Sequence, residues 1–518
     1  MPATPTSPAA RRRAPIAPPT KAPTAKAPPA KAPPAKARTR KAAAARAAAA
    51  HAPAVPPARL PEQSHGMPHA ERLAAGKALR SRAAREAFAK WLPDGRRADP
   101  VDLLVASSAG RVPELVPIRY GRMLASPFAF FRGSATVMAH DLSFLPVTGM
   151  QVVACGDCHL MNFGGFASAE RRLVFDINDF DEVSVAPWEW DVLRLAASFV
   201  IAGRANGFRE ADSREAAWTA AQSYRTHMAR YAEMPVLEAY YESIDLKRLL
   251  LTEETDEEMR ALNRRRIRKA QRESAHLKEY AKLAVQSGGE PRIRDEPPLI
   301  FHDTDMTRQA GFREMVERMQ AEYAASLPPE RRLLFDRFRL ADVAIKVVGV
   351  GSVGTYCGIA LMVSGTGDPL FLQYKEARPS VLEPYCGRLP FAHDGERVVF
   401  GQRLLQAGAD IFLGWTTGGF TGRNFYVRQL RDAKIKPTVE IMKPANLRTY
   451  ATACGWALAR AHKRTADAVM LTGYLGTSTA FEDAVTAFAA RYADRNERDH
   501  AALVAAVRAG RLEALGET

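Results

Sequence analysis

Apolar positions between residues 70 and 92 recur at helical spacing and stop at Pro93-Asp94-Gly95, which predicts one helix over that stretch. The periodicity then shortens. Gln151-Val-Val-Ala154 and Arg172-Leu-Val-Phe175 predict two short strands, each followed by aspartate-bearing polar sequence. Trp188-Glu189-Trp190-Asp191 opens an apolar helix, Val192 to Ala205, that Asn206-Gly207 can terminate. From about 209 to 340 the pattern is helical and heavily charged, and its basic run Asn263 to Lys269 is read first as a solvated helix face, second as a nucleic-acid patch. At 341 the texture changes again. Residues 343–350, 355–363 and 370–375 predict strands, Glu396 to Phe412 a helix and Asn424 to Leu430 a further strand. Beyond 446 the pattern is helical, and Thr479-Ala-Phe-Glu482 has the form of a capping box.

This alternation predicts an α+β protein with a helical lobe over residues 62–340, a β-rich lobe over 341–440 and C-terminal helices, 441–518, that complete the first lobe. Residues 1–61 stand apart. The first 60 hold twelve Lys or Arg and no Asp or Glu in a chain of net charge +16, which leaves only +4 for the remainder. Their Pro, Ala and Lys repetition offers little to bury and predicts a disordered tail. A basic arm attracts polyanions by counterion release, so DNA, RNA or an anionic membrane surface would each serve as partner of residues 1–60, with non-specific nucleic acid the first candidate. A spacing tail is the competing expectation, because no aromatic residue is interleaved for base stacking. Arg11-Arg12-Arg13 runs into prolines and not into an apolar core, and no run of 18 apolar residues exists, so neither a signal peptide nor a membrane span is expected. Five cysteines, few and odd in number, suit a reducing cytoplasm, which is the expected location.

The chemistry-bearing stretch is Cys155-Gly-Asp-Cys-His-Leu-Met-Asn162, followed by Phe175-Asp-Ile-Asn-Asp-Phe-Asp181. An aspartate, an asparagine five positions later, and a strand ending in aspartates form the grammar of kinase-type phosphoryl transfer. Asp157 is the candidate base for the attacking hydroxyl. Asn162 and a later aspartate would hold Mg2+ against the phosphates of ATP. Asp176, at a strand end, is the leading second metal ligand, with Asp179 next and Asp181 a competitor. These acids and Glu182 would repel if buried together without a cation; a polar loop whose acids cap turns is the alternative. His159 would steady the loop or touch a phosphate. Cys155-x-x-Cys158 with His159 also has the form of half a zinc site or a redox pair, but no second C-x-x-C exists.

The segment Gly349-Val350-Gly351-Ser352-Val353-Gly354 lies between two predicted strands, an arrangement that covers ATP phosphates in kinases; a simple hairpin bend is the alternative. Gly349, Gly351, Ser352 and Gly354 are therefore candidate nucleotide contacts. Lys375, on the next strand, would meet the phosphates, with Glu396 as its acidic partner and Glu376 and Glu383 as rivals. Arg428 and Gln429 fall where a linker between lobes would pass the adenine. Arg119, Arg122 and Arg132 are phosphate or carboxylate partners in one reading, solvated or structural arginines in the other.

The glycine loop follows the catalytic loop, the reverse of the usual kinase order, which predicts a circularly permuted domain. The helix ending at His462 supports this: it is similar to the helix that precedes the catalytic loop in small-molecule kinases, yet no Asp-x-x-x-x-Asn follows it. Four elements resemble a large bacterial family known only as a domain of unknown function: Gly156 to Gly164, Asn178 to Glu182 with Trp190-Asp191, Val348 to Thr355, and Gln373 to Ala377. That family in turn resembles aminoglycoside and choline phosphotransferases. The resemblance implies a two-lobed, kinase-like fold with extra helices. It implies base and metal roles for Asp157, Asn162 and Asp176, phosphate contacts for Lys375 and the glycines, and a loop-bracing role for Asp191. The expected function is an ATP- and Mg2+-dependent phosphotransferase acting on a small molecule or a protein. A non-catalytic nucleotide-binding regulator on nucleic acid, or a nucleotidyl transferase, are the alternatives.

Overall fold

The computed structural model describes residues 57–61, 66–90, 97–253, 256–272, 280–297, 299–303, 308, 310–346, 353–418, 422–430 and 434–516. Of the predicted tail, 1–61, residues 1–56 lie outside this set, as do the loop residues Gly349, Gly351 and Ser352; Ala58 is ordered and buried, its N–H donating to the Arg388 carbonyl at 2.9 Å, so the body begins before the predicted boundary. The described chain is a mixed α+β structure. Its strands are β1 Gln151–Ala154, β2 Phe163–Ala167, β3 Leu173–Ile177, β4 Ser184–Pro187, β5 Ile244–Asp245, β6 Ala284–Ser287, β7 Glu290–Ile293, β8 Ile300–Phe301, β9 Phe338–Lys346, β10 Cys357–Ser364, β11 Pro369–Glu376, β12 Gly414–Gly418 and β13 Arg423–Gln429. Five helices shape the rest of the account: α1 Trp188–Ala205, α2 Glu210–Glu233, α3 Asp394–Leu405, α4 Pro444–His462 and α5 Ala480–Arg508. Among the described residues no helix is long and apolar enough to cross a membrane.

Two antiparallel pairings build the candidate site. β1 pairs with β4, Ala154 opposite Ser184. β2 pairs with β3, Phe163 opposite Ile177. The loop 155–162 leaves β1 and enters β2, while the loop 178–183 leaves β3 and enters β4. The same two pairings bracket both loops, so they must run side by side. The Asn178 N–H closes them by donating to the Asn162 carbonyl at 2.7 Å.

The second layer is a six-stranded antiparallel sheet in the order β12-β13-β11-β10-β9-β8. Its central strands are buried on both faces: Ile359 and Leu361 pack to one side, Ala360 and Met362 to the other. That explains why β10 reads as a continuous apolar run and not as an alternating one. Lys375 lies opposite Cys357 on β10 and Tyr426 on β13, in the middle of this sheet.

Below the sheet, α4 packs on α2 and α2 on α1. Trp188 opens α1 fully buried, stacks on Tyr224 at 5.8 Å between centroids, and donates its indole N–H to Thr148 at 3.0 Å. Three parts of the sequence reading change here. The charged region 209–340 is not all helix: β6 and β7 form a hairpin on Gly288-Gly289, both at positive φ, a turn that L-residues resist. The helix predicted to Phe412 ends at Leu405, and β12 follows. Thr479 and Glu482 do not form a capping box: Glu482 is buried and accepts from Arg225 Nε at 2.5 Å, while the Thr479 hydroxyl donates to Asp483.

The largest revision concerns Asp176. Its carboxylate is fully buried, 2.7 Å from Arg460 NH2 on α4, and it accepts from the Ala407 N–H at 2.8 Å just beyond α3. The expected metal ligand is thus placed as a clamp that ties β3 to two helices. A buried pair of this kind is costly to break, because the remaining charge keeps its desolvation penalty. Asp176→Asn should therefore cost about 3–5 kcal/mol in denaturant unfolding; an unchanged unfolding midpoint would refute the clamp.

Candidate functional site

Asp157 follows Gly156, whose φ is +81° and whose missing Cβ would lie 2.2 Å from the Glu182 carbonyl. Only glycine lets the two loops approach this closely. The turn is fixed from below by Asp191 on the first turn of α1, which accepts from the Cys155 N–H at 2.8 Å and the Gly156 N–H at 3.0 Å. His462 Nε2, at the end of α4, lies 3.2 Å from the same carboxylate. Asp191 therefore stands under the loop and holds two of its backbone N–H groups. Cys155 Sγ, Cys158 Sγ and a carboxylate oxygen of Asp191 lie within 4.8 Å of one another. Burial pushes both thiols up, Cys158 to about 11, and Asp191 is already engaged by two backbone donors. The trio reads as packing under the loop, not as an open metal site.

The Asp157 carboxylate, 22 % exposed, opens onto a cavity of about 350 Å³. Arg194, one turn beyond Asp191 on α1, donates from Nε to Asp157 Oδ1 at 2.7 Å and sets the carboxylate's orientation. Arg194 is itself held by the Phe131 carbonyl and lies 4.4 Å over the Phe131 ring. His159 is buried, and its Nδ1 accepts from the Met161 N–H at 3.2 Å, which places any ring proton on Nε2, 3.8 Å from Asp157 Oδ2. Burial drives the His159 pKa down to about 4, so the ring is neutral at physiological pH. Asn162 lines the same cavity and donates its amide N–H to the Asp157 carbonyl at 2.8 Å.

Asp179, Asp181 and Glu182 bring the second loop into this cavity. Lys375 reaches them from the sheet: its Nζ is 2.8 Å from Asp181 and 3.9 Å from Asp179. The Tyr426 hydroxyl donates to the other Asp181 oxygen at 2.6 Å. Burial alone would lower the Lys375 pKa, but Asp179 and Asp181 together raise it. Burial and the Asp181 charge raise Asp179; burial opposes the charge of Asp181 too, but Lys375, the Tyr426 hydroxyl and Arg428 together outweigh it and lower the pKa. Burial lifts the Glu182 carboxyl to about 7 against the Val381 N–H that it accepts.

The structure thus brings Asp157, His159, Asn162, Asp179 and, through its ion pair, Lys375 to one place. It does not bring Asp176 there, nor Glu396. Glu396 sits on the first turn of α3 and donates its N–H to His393 Nδ1; the acid that meets Lys375 is Asp181. The rivals have other partners: Glu376 lines the cavity but pairs with Arg423 at 2.6 Å, and Glu383 lies 3.9 Å from Arg397. Gly354 precedes Thr355, which lines the cavity, and its carbonyl accepts from the Val112 N–H at 2.7 Å. Sequence reasoning also missed Arg194, although its spacing from Asp191 on one helix puts both under the loop. It missed Tyr426 as well, which carries no local signal. A second cavity of about 410 Å³, walled by Leu370, Ile411 and Phe412, is lined by Asn178 and by Arg428 and Gln429 at the end of β13.

A neutral buried histidine must take up a proton when the chain unfolds. The folded pKa of about 4 lies below the ordinary 6.5, so the unfolded state binds more protons between these values. Stability contributed by this group is complete above pH 6.5 and is lost as pH falls toward 4, about 3 kcal/mol across the window. His159→Gln should flatten the acid limb of the stability–pH curve; identical limbs in variant and parent would contradict a neutral His159.

Comparison with curated proteins and with solved structures gives no match. One family profile does match, over residues 111–506, from the arginine at the cavity rim to the last long helix. Both loops, the six-stranded sheet and α4 fall inside that span, so the chain belongs to the bacterial family described as "uncharacterized protein conserved in bacteria" (DUF2252).

Proposed function

We propose that this protein is a kinase-like, circularly permuted phosphotransferase that uses Mg-ATP. The observation that carries the reading is the meeting of distant segments: the Asp157–Asn162 loop and the Asp179–Asp181 loop share a cavity, and a buried lysine supplied by the sheet pairs with Asp181 behind it. The spacing of base, amide and later carboxylate matches what phosphoryl transfer needs. The donor set fits a hard divalent cation. The Asn162 amide donates through nitrogen, which assigns its Oδ1 as the atom that would meet the ion. Asp179 is held in surroundings that disfavour its charge, which a cation would relieve. Such an ion would neutralise charge on the nucleotide phosphates.

In this reading the acceptor hydroxyl attacks the terminal phosphorus as the bridging phosphorus–oxygen bond to ADP breaks, and its proton passes to Asp157. Arg194 and neutral His159 are positioning residues: they hold the carboxylate toward the acceptor. Asp191 holds the turn that carries it. Lys375 would meet a phosphate while keeping Asp181 in place. The apolar cavity beside Arg428 and Gln429 is of a size and polarity to take the nucleobase.

The test pairs binding with turnover. Asp157→Asn should still bind Mg-ATP in a thermal-shift assay but lose turnover by about 10²- to 10⁴-fold, the usual worth of a general base. Lys375→Met should weaken Mg-ATP binding, with Lys375→Arg retaining more of it. Binding without turnover in the parent protein would favour a nucleotide-binding regulator, and absence of Mg-ATP binding would reject the proposal.

A further inference from the structure

Arg111, Arg119, Arg132 and Arg378 line the Asp157 cavity together with the acidic loops. Arg119 is 2 % exposed, yet its guanidinium donates only to neutral groups: the Ser108 hydroxyl at 2.8 Å, the Ser107 hydroxyl at 3.3 Å and the Gly133 carbonyl at 3.0 Å. Arg378 donates to the carbonyls of Ser107 and Ala109. Arg132 follows Phe131, and its Nε is buried without a hydrogen-bond partner, as is that of Arg119. All three line the same cavity as Asp157, and none lines the apolar one.

Five carboxylates line the same cavity, and three of them have cationic partners from outside its lining: Asp157 with Arg194, Asp181 with Lys375 and Glu376 with Arg423. Asp179 and Glu182 remain beside the arginines, and burial raises the pKa of both, which weakens the charge they offer. The strain is visible in the arginines: burial lowers Arg119 to about 10, and burial with the charges of Arg119 and Arg378 lowers neighbouring Arg111 to about 9. Guanidiniums pinned by carbonyls and hydroxyls are oriented in advance, which is the arrangement that receives an oxyanion through paired N–H donors.

We propose that Arg119, Arg132 and Arg378 form an oxyanion site that holds the acceptor, and that the acceptor is a small hydroxylated molecule carrying a phosphate or carboxylate group. The inference rests on the phosphotransferase reading for the word acceptor; the oxyanion site stands on the arginines alone. A cavity of about 350 Å³ admits a small molecule and not a folded protein surface.

Inorganic phosphate is the probe, titrated calorimetrically into the full chain with and without saturating Mg-ADP. Saturable binding should appear in both conditions. Arg378→Gln and Arg132→Gln should each weaken it about tenfold or more, the usual worth of a charge-assisted hydrogen bond, with Arg378→Lys intermediate. Acetate run in parallel separates the two chemistries: tighter phosphate binding assigns a phosphorylated acceptor, tighter acetate binding a carboxylated one. Binding of neither ion overturns the proposal. So does phosphate binding that Mg-ADP or Lys375→Met abolishes while the arginine variants leave it intact, because the ion then sits with the nucleotide. Phosphate binding that follows the arginines, without ATP turnover on any anionic hydroxyl compound, refutes the transferase reading and leaves the oxyanion site.

Discussion

One buried ammonium joins the two halves of the candidate site. Lys375 projects from the centre of the six-stranded sheet into low-dielectric surroundings that oppose its charge, and two carboxylates restore it. In return it allows Asp179 and Asp181 to stand near each other and near Asp157. Without it the second loop would carry uncompensated negative charge against the first. The contact spans 194 positions of chain, so neither segment has this chemistry alone.

The aspartates between 157 and 191 show how surroundings divide one residue type among several tasks. Asp176 is sealed against Arg460 and works as a tie between strand and helices. Asp191 is sealed under a turn and spends its oxygens on backbone N–H groups. Asp157 has an oriented carboxylate with a face open to a cavity. Asp179 and Asp181 share a lysine unequally, which pushes their proton affinities apart. Burial and partner decide each role. The arginines divide likewise: Arg194 and Arg460 complete ion pairs, whereas Arg119 and Arg378 are fixed by neutral groups at a cavity wall.

Short-range features were open to reading from the chain. The five-residue spacing from Asp157 to Asn162, the strand β1, the helix opened by Trp188 and the strands β10, β11 and β13 depend on local periodicity and turn chemistry, and those signals survive folding. Gly156 was legible as part of a motif, though its reason, the closeness of the Glu182 carbonyl, was not. β2 was missed because Phe163-Gly-Gly-Phe-Ala167 has a glycine pair where a strand wants side chains, and only pairing with β3 makes it a strand.

The sequence by itself determined which chemistry-bearing residues are present, their local spacing and most of the regular elements around them. The tertiary structure alone decided which of three nearby aspartates is structural, which acid meets Lys375, and that several arginines line the cavity of the Asp157 carboxylate. These outcomes depend on pairings such as Lys375 with Asp181 and Asp176 with Arg460. Burial and charge compensation select them from many distant candidates, and no periodicity along the chain encodes that selection.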